Sequence, residues 1–260
     1  MFKKLKRALL ISRQNQICRG VLISHKYRFT LDTTAKCGSG TAKEWFLFEH
    51  NVLFDQHIKT GTVDNYLGMS IHDYLRNPNN LYCATEKDLL KATSSYSKII
   101  VVRNPWKRLV SFYCDKILNS KNWLPALNTF TQENYSKDIT FREFVRYIEQ
   151  IPDNALEPHL RPQNYARQNK NFDFVVKLEN FREEIAQVTK VLQLPNPLVN
   201  IHRNRILYDE NLRAANAFDL KPQEIICIPS YQSFYDQELY GIVRTKYRQD
   251  IERFNYGFVD

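Results

Sequence analysis

Residues 101–113, VVRNPWKRLVSFY, decide the fold. They continue a short apolar run, Lys98–Arg103, of the kind that is buried in a parallel sheet. The run ends at Asn104-Pro105, and a proline near the start of a helix favours a helix over Trp106–Leu118. This stretch therefore predicts a buried strand that is followed directly by a helix.

Two further strand–helix units surround it in the sequence. Tyr27–Thr34 is rich in β-branched and aromatic residues, and it precedes the small-residue run Ala35–Ala42 and a predicted helix over Lys43–Leu53. Phe172–Leu178 predicts another strand. Strands that alternate with helices predict an α/β fold, with a parallel β-sheet flanked by helices and ligands at the carboxyl ends of its strands.

Three more helices follow from the pattern. Two begin at predicted capping boxes, Thr140 with Glu143 before Phe141–Gln150, and Asn180 with Glu183 before a helix through Leu192. Phe234–Phe254 predicts one long amphipathic helix. Because no linker composition interrupts the chain, we expect a single domain over residues 1–260. Residues 119–138 lack periodicity and predict a loop.

Composition points to an anionic partner. The 260 residues carry a formal charge of +9, which is typical of proteins that bind nucleic acid, membrane surfaces or anion-rich ligands, although a solvated basic surface explains it equally well. No zinc finger, RNA-recognition motif or basic zipper is present, so we expect no nucleic-acid partner. The five cysteines have no metal-ligand spacing and indicate free thiols in a reducing compartment, with no metal.

The N-terminal segment MFKKLKRALLIS is too short in apolar residues to cross a membrane. We therefore expect no membrane span and a cytoplasmic location. The sequence leaves the oligomeric state open.

The segment after the first predicted strand has the chemistry of an anion-binding loop. Its residues are Ala35, Lys36, Cys37, Gly38, Ser39, Gly40 and Thr41. Small residues let main-chain N–H groups approach an anion, and a following helix N-terminus favours negative charge. The lysine precedes the glycines, so the loop lacks the order Gly-x-x-x-x-Gly-Lys-Ser/Thr of nucleoside-triphosphate P-loops. A tight turn with a surface lysine is the competing interpretation.

A second group comes from the Val101–Tyr113 stretch. The predicted strand delivers Arg103 at its carboxyl end, and the next helix carries Ser111 two turns later. A guanidinium and a hydroxyl on adjoining elements suit a phosphate, whereas pairing of the arginine with a carboxylate such as Asp115 is the structural alternative.

Together these two groups resemble the carbohydrate sulfotransferase family, sulfotransferase family 2, which includes chondroitin and HNK-1 sulfotransferases and related bacterial enzymes. The family carries a Pro-Lys-x-x-x-Thr loop and an Arg-Asp/Glu-Pro-Phe-x-Arg-Leu-Val-Ser-x-Tyr block. Lys36, Arg103 and Ser111 match them, and the stretches Glu157–Glu179 and Tyr247–Tyr256 look like two further family regions. The resemblance runs from about Thr33 to the end of the chain.

The resemblance implies a P-loop-like sulfotransferase fold and the donor 3′-phosphoadenosine 5′-phosphosulfate as co-substrate. Lys36 and the loop Cys37–Thr41 would bind the 5′-phosphosulfate, and Arg103 with Ser111 would bind the 3′-phosphate. Sulfuryl transfer to a hydroxyl of a glycan or another acceptor is the expected reaction, with Lys36 stabilising the leaving group. In this interpretation the loop over residues 119–138 is an acceptor-binding lid. Because animal members of the family are usually anchored in the Golgi, the resemblance also implies the Golgi lumen as the alternative location, if the chain is the trimmed part of such an enzyme.

Four residues depart from the family pattern. They are Ala35 for proline, Ala42 for tryptophan, Asn104 for an acidic residue and Leu160 for tryptophan. The lost tryptophans alter predicted acceptor contacts more than donor contacts.

The general base is left open among four residues. His72 is the first choice, because it precedes the Arg103 strand at nearly the spacing of a family histidine; His159 is the second, and His57 and Glu86 are further candidates. A surface or helix-capping histidine is the structural alternative for His72. Three other functions also compete: a nucleotide kinase, a polyanion- or nucleic-acid-binding module, and an inactive sulfotransferase-like scaffold.

Overall fold

The computed structural model describes residues 17–51, 71–76, 82–92, 95–119, 139–165, 170–195 and 216–258. They form two compact units: unit 1 takes the described residues within Met1–Val102 and Lys170–Arg203, and unit 2 those within Arg103–Asn169 and Asn204–Asp260. The single domain over residues 1–260 stays a prediction. The predicted lid at 119–138 lies outside the described residues, apart from Asn119.

Unit 1 is built on a mixed sheet. Its five described strands are β1 Ile17–Ser24, β2 Phe29–Thr33, β3 Cys83–Thr85, β4 Ser97–Val102 and β5 Phe174–Lys177. In the order β3-β1-β2-β4-β5, the last three strands are parallel, while β1 runs antiparallel to both β2 and β3. The predicted α/β fold is confirmed. The parallel strands β2, β4 and β5 form the predicted parallel part of the sheet, and β1 is antiparallel to β2 because the four-residue turn that joins them is too short for a parallel connection.

The described helices surround this sheet or form unit 2. Those of unit 1 are α1 Ser39–Glu49, α2 Ile71–Arg76, α3 Glu86–Ala92 and α6 Phe181–Val191; those of unit 2 are α4 Pro105–Tyr113, α5 Phe141–Gln150, α7 Gln237–Lys246 and α8 Arg248–Phe254. A π-helical turn, Cys114–Leu118, continues α4, so the predicted Trp106–Leu118 helix changes type after Tyr113.

The core of unit 1 follows the alternation of its strands. Phe29, Leu31, Ile99 and Val101 are fully buried on one face of the sheet, where they belong to one apolar cluster with residues of α1 and α6. In β1, Gly20 has φ +84°, and a Cβ there would lie 2.6 Å from the carbonyl oxygen of Thr33. Glycine thus permits the irregular register of β1 beside β3 and the close approach of β2.

Unit 2 has an aromatic core. The rings of Phe112 and Phe144 stack with centroids 5.6 Å apart, and Phe141 packs edge-to-face on Tyr113 and Phe234. These contacts join α4, α5 and the turn before α7. Aromatic pairs of this kind contribute about 0.5–1.5 kcal/mol each beyond their buried area.

The C-terminal helix is interrupted. The predicted Phe234–Phe254 helix is wrong, since α7 and α8 are separated at Tyr247, which has φ −107° and ψ 23°. The buried Tyr247 hydroxyl donates to the carbonyl oxygen of Leu160 at 2.6 Å. Burial raises the pKa of Tyr247, so this hydroxyl stays protonated and available as a donor.

Candidate functional site

The loop after β2 has two residues in the left-handed region. Lys36 has φ +63° and Gly38 has φ +67°, and between them the buried Cys37 donates its main-chain N–H to the Thr34 carbonyl oxygen at 3.3 Å. Left-handed residues in a turn point neighbouring main-chain N–H groups towards a common side, which creates a concave site for an anion. This backbone is compatible with an anion-binding loop, and anion binding at Lys36–Thr41 stays a prediction.

Gly38 is required by both its backbone and its surroundings. It precedes α1 as a left-handed N-cap without a side-chain cap, and a Cβ there would lie 2.3 Å from Leu178 Cδ1. The helix begins at Ser39, four residues before its predicted start at Lys43. Ser39, Gly40 and Thr41 consequently form the first turn, where N–H groups lack helical partners and no acidic side chain competes for them.

A threonine beside the loop has an unused polar atom. Thr34 is 9% exposed, and its Oγ1 is buried without a hydrogen-bond partner in the part of the chain that the structure describes. Burying a hydroxyl without a partner costs about 1–3 kcal/mol. Together with the N–H groups of the first turn and the half-buried Lys36, this atom fits a loop that binds an oxygen-rich anionic group.

The second predicted group lies at the start of unit 2. Arg103 is half-buried and directly follows β4, and Asn104 caps α4 by accepting from the N–H groups of Trp106 and Lys107 at 3.1 and 3.3 Å. Ser111 is 6% exposed on α4. Lys107, one turn before Ser111 on the same helix face, also lies over the ring of Tyr231.

His159 is held by the carboxylate of Glu157. Its ring Nδ1 and its main-chain N–H each lie 2.5 Å from one carboxylate oxygen of Glu157. Because a carboxylate only accepts hydrogen bonds, Nδ1 carries a proton, so in the neutral imidazole the lone pair is on Nε2. The His159 side chain is 42% exposed, against 15% for Glu157. This arrangement, a carboxylate orienting a histidine, suits a general base.

Unit 2 links His159 to the helix that bears Ser111. Arg108 of α4 is 2% exposed and donates from Nη2 to the carbonyl oxygen of His159 at 2.8 Å. Arg103, Ser111 and His159 therefore belong to one connected part of unit 2. Lys36 and the residues through Thr41 form their own group in unit 1.

The other candidate bases lie partly or wholly outside the described residues. His72 lies within α2 and Glu86 begins α3, but their side chains are outside the described residues, as is all of His57. Among the described residues, no group of three or more His, Cys, Asp or Glu side chains has the arrangement of a metal site. In the same ranges, no helix is both long and apolar enough to traverse a bilayer.

Two residues that orient candidate site residues have no predicted role in the sequence. Glu157, which orients His159, stands only two positions before it, so the Glu-x-His spacing was an available signal. Gln163 pairs with the main chain of Arg103, and a separation of 60 residues leaves no local sequence signal for that contact.

A comparison with protein families identifies the family of the chain. The sequence model described as "Sulfotransferase family" matches residues 19–257, which is most of the chain. No curated protein and no solved structure gives a significant match. The matched range includes both described groups, the Lys36 loop and the Arg103–Ser111 segment. The chain therefore belongs to the sulfotransferase family.

Proposed function

We propose that the protein transfers a sulfuryl group from 3′-phosphoadenosine 5′-phosphosulfate to a hydroxyl of a carbohydrate. Beyond family membership, one observation carries this proposal: the turn with left-handed Lys36 and Gly38 in front of α1. Its main-chain N–H groups, helix N-terminus and lysine suit a phosphosulfate, whose charge is spread over several oxygens.

The donor would be held at both of its charged ends. The N–H groups of Gly38–Thr41 would bind the 5′-phosphosulfate, while Arg103 and Ser111 would bind the 3′-phosphate. Lys36 would stabilise the negative charge that grows on the bridging oxygen as the nucleotide leaves. No covalent enzyme intermediate is needed, because positioning and charge stabilisation are sufficient for an in-line displacement.

His159 is our preferred general base, with His72 as the alternative. As the acceptor oxygen forms its bond to sulfur, the bond between sulfur and the 5′-phosphate oxygen breaks, and the acceptor proton moves to Nε2 of His159. The products are the sulfate ester and 3′-phosphoadenosine 5′-phosphate. Glu157 supports this assignment, because its contact with Nδ1 leaves Nε2 as the proton acceptor.

Calorimetric titration tests the donor site. We expect 3′-phosphoadenosine 5′-phosphate to bind much more tightly than adenosine 5′-phosphate, because only the former engages Arg103. Arg103→Ala should weaken binding of the bisphosphate by roughly 10- to 100-fold and leave the monophosphate unaffected, since one charge-assisted contact is lost. Equal binding of both nucleotides by the unaltered protein would refute the proposed donor.

Transfer assays address the acceptor and the competing functions. Radiolabelled donor should label an unsulfated polysaccharide such as chondroitin without added magnesium, whereas a nucleotide kinase needs the metal. Tight donor binding without labelling of any hydroxyl acceptor would favour an inactive scaffold. A polyanion-binding module predicts salt-dependent binding to heparin and DNA without a response to the 3′-phosphate, which the charge of +9 alone would support.

A further inference from the structure

The main chain of Arg103 is paired by a side chain. Gln163 Oε1 accepts from the Arg103 N–H at 2.8 Å, and Gln163 Nε2 donates to the Arg103 carbonyl oxygen at 2.8 Å. The registered strand pairs of β4 end at Val102, so Arg103 comes after the last of them. The side-chain amide of Gln163 thus makes the two main-chain hydrogen bonds with Arg103 that a neighbouring strand would make inside the sheet.

Gln163 is itself fixed by a buried carboxylate. Asp250 Oδ2 accepts from the Gln163 main-chain N–H at 2.7 Å and faces Nε2 at 3.4 Å, while Oδ1 accepts from the N–H of Asn164 at 2.7 Å. Gln163 and Asp250 are both fully buried. These bonds also determine the amide orientation, because Oε1 must face an N–H and Nε2 must face oxygens.

Burial of the Asp250 carboxylate is unfavourable, and its polar partners offset this cost. Burial raises the pKa of Asp250, whereas the nearby Arg108 guanidinium and the hydrogen bonds from Gln163 and Asn164 act in the opposite direction. A buried charge persists only where partners compensate it. Most of the hydrogen bonds that Asp250 accepts come from residues 163 and 164, so they hold this segment in place.

We propose that Gln163 is a positioning residue for donor binding: it fixes the main chain of Arg103, and Asp250 fixes Gln163. The inference rests on the proposed function, in which the Arg103 guanidinium binds the 3′-phosphate. Gln163 would touch no ligand. It would limit the movement of the Arg103 Cα, so that a long side chain reaches the phosphate from one defined origin.

Gln163→Met is the principal variant, because methionine has a similar length and can form neither hydrogen bond with Arg103. We expect binding of 3′-phosphoadenosine 5′-phosphate to weaken roughly ten-fold, with binding of adenosine 5′-phosphate unchanged. In an Arg103→Ala background, Gln163→Met should cause no further loss, because both changes act through one contact.

The matched control is Tyr113→Phe, which removes another buried hydrogen bond of unit 2, from the Tyr113 hydroxyl to the Ile139 carbonyl oxygen. It should lower stability without changing the preference for the bisphosphate. If Gln163→Met keeps the wild-type preference, or if its effect adds to that of Arg103→Ala, the positioning role is overturned. Should Gln163→Met not fold, Gln163→Asn takes its place, because its amide adds no charge and is one methylene too short to reach both main-chain groups of Arg103, and the same preference is measured.

The titration of the unaltered protein separates the two possible failures. If it shows no preference for the bisphosphate, the proposed donor itself is wrong. If it shows the preference and Gln163→Met retains it, the donor stands and Gln163 is a structural residue only.

Discussion

Asn104 stands where the family resemblance implies an acidic residue, and its contacts explain the difference. Oδ1 caps α4, as an aspartate would, but Nδ2 also donates to the Gly257 carbonyl oxygen at 2.7 Å. Aspartate would lose this donor and place a carboxylate against a carbonyl in a fully buried position. The departure is therefore a local adaptation to the C-terminal segment, and the neighbouring Arg103 is unaffected by it as a candidate ligand.

Lys36 should matter more for turnover than for donor binding. Lys36→Ala removes a charge that acts mainly on the leaving group, so we expect kcat to fall roughly 100-fold, as for loss of one transition-state donor. The Kd for 3′-phosphoadenosine 5′-phosphate should change by less than about ten-fold. Lys87→Ala, at an exposed position of α3, is the control and should alter neither value. An equal loss in both measurements would assign Lys36 to ground-state binding.

Glu157 should be needed for turnover and dispensable for donor affinity. Glu157→Gln retains one acceptor oxygen and cannot receive both the Nδ1 and the main-chain hydrogen bonds of His159, so we expect kcat to fall at least about ten-fold. Transfer of radiolabel to unsulfated chondroitin measures it, and Glu149→Gln at an exposed position of α5 is the control. Unchanged turnover in Glu157→Gln, with full loss in a His72→Ala protein, would return the role of base to His72.

At the scale of elements, the sequence predicted what local chemistry determines. β4, β5 and α5 appear within one or two residues of their predicted bounds, because apolar runs and the Thr140–Glu143 capping box are local signals. The hairpin strand β1 and the short β3 were missed. Their pairing depends on contacts with β2 and with each other, and their own sequences carry little periodicity.

The second capping box failed for a reason that the structure makes plain. A 3₁₀ turn, Leu178–Asn180, leads directly into α6, so Asn180 has φ −117° and ψ 28° and makes no side-chain cap. Glu184 accepts instead from the Lys177 N–H at 2.6 Å. The predicted partner, Glu183, is exposed.

The two capping sites should differ in stability. Thr140→Ala breaks a complete capping box and should lower the free energy of unfolding by about 1 kcal/mol. Asn180→Ala removes no cap and should change it by less than about 0.5 kcal/mol. Urea unfolding of both variants measures the difference, and equal losses would contradict this account.

Gly38 should be the least replaceable glycine of the Ala35–Thr41 loop. Gly38→Ala must adopt φ +67° and must displace the Leu178 side chain, so we expect a loss of about 1–3 kcal/mol in the free energy of unfolding. Gly241→Ala is the matched control: it lies within α7 with no atom within 4 Å of its added Cβ, and it should stabilise by roughly 0.5–1 kcal/mol. When Leu178→Ala is combined with Gly38→Ala, the part of this loss that comes from the clash with Leu178 should be recovered, whereas the part that comes from the positive φ should remain. A Gly38→Ala protein as stable as the wild type would show that the loop tolerates a side chain.

For the whole molecule, the charge of +9 predicted an anionic partner but not its place. The described structure gives candidate cationic groups to both units, Lys36 to unit 1 and Arg103 to unit 2. What sequence could not supply were the contacts that orient these groups, since Gln163 and Asp250 lie 60 and 147 residues from Arg103. Such distant pairings follow from tertiary packing, which no single motif encodes.

Stability of the fold should fall in mild acid because of His50. This residue ends α1, with Nδ1 donating to the Phe46 carbonyl oxygen at 2.7 Å and Nε2 accepting from the Ser24 hydroxyl at 2.8 Å. Burial, and secondarily the charge of Lys26, lower its pKa below the ordinary value of 6.5, although the bond to Phe46 opposes this.

A histidine with a lowered pKa binds fewer protons folded than unfolded. The contribution of His50 to the free energy of unfolding is therefore complete above about pH 6.5 and is lost as the pH falls below that value. Urea unfolding between pH 7.5 and about 5 should show a free energy of unfolding that decreases as the pH falls. His50→Phe should reduce the slope of this dependence. A slope that is identical in wild type and His50→Phe would exclude His50 as its source.

The contact between Gln163 and Asp250 also bears on the rate of folding. It joins residues 87 apart, so it forms only after a long loop has closed, and contacts of this range are characteristic of slow folding steps. During refolding from urea, the helices of unit 2 can form before α8 docks, yet the main chain of Arg103 would still lack its fixed partner. Recovery of nucleotide binding should accordingly lag behind recovery of helical circular dichroism.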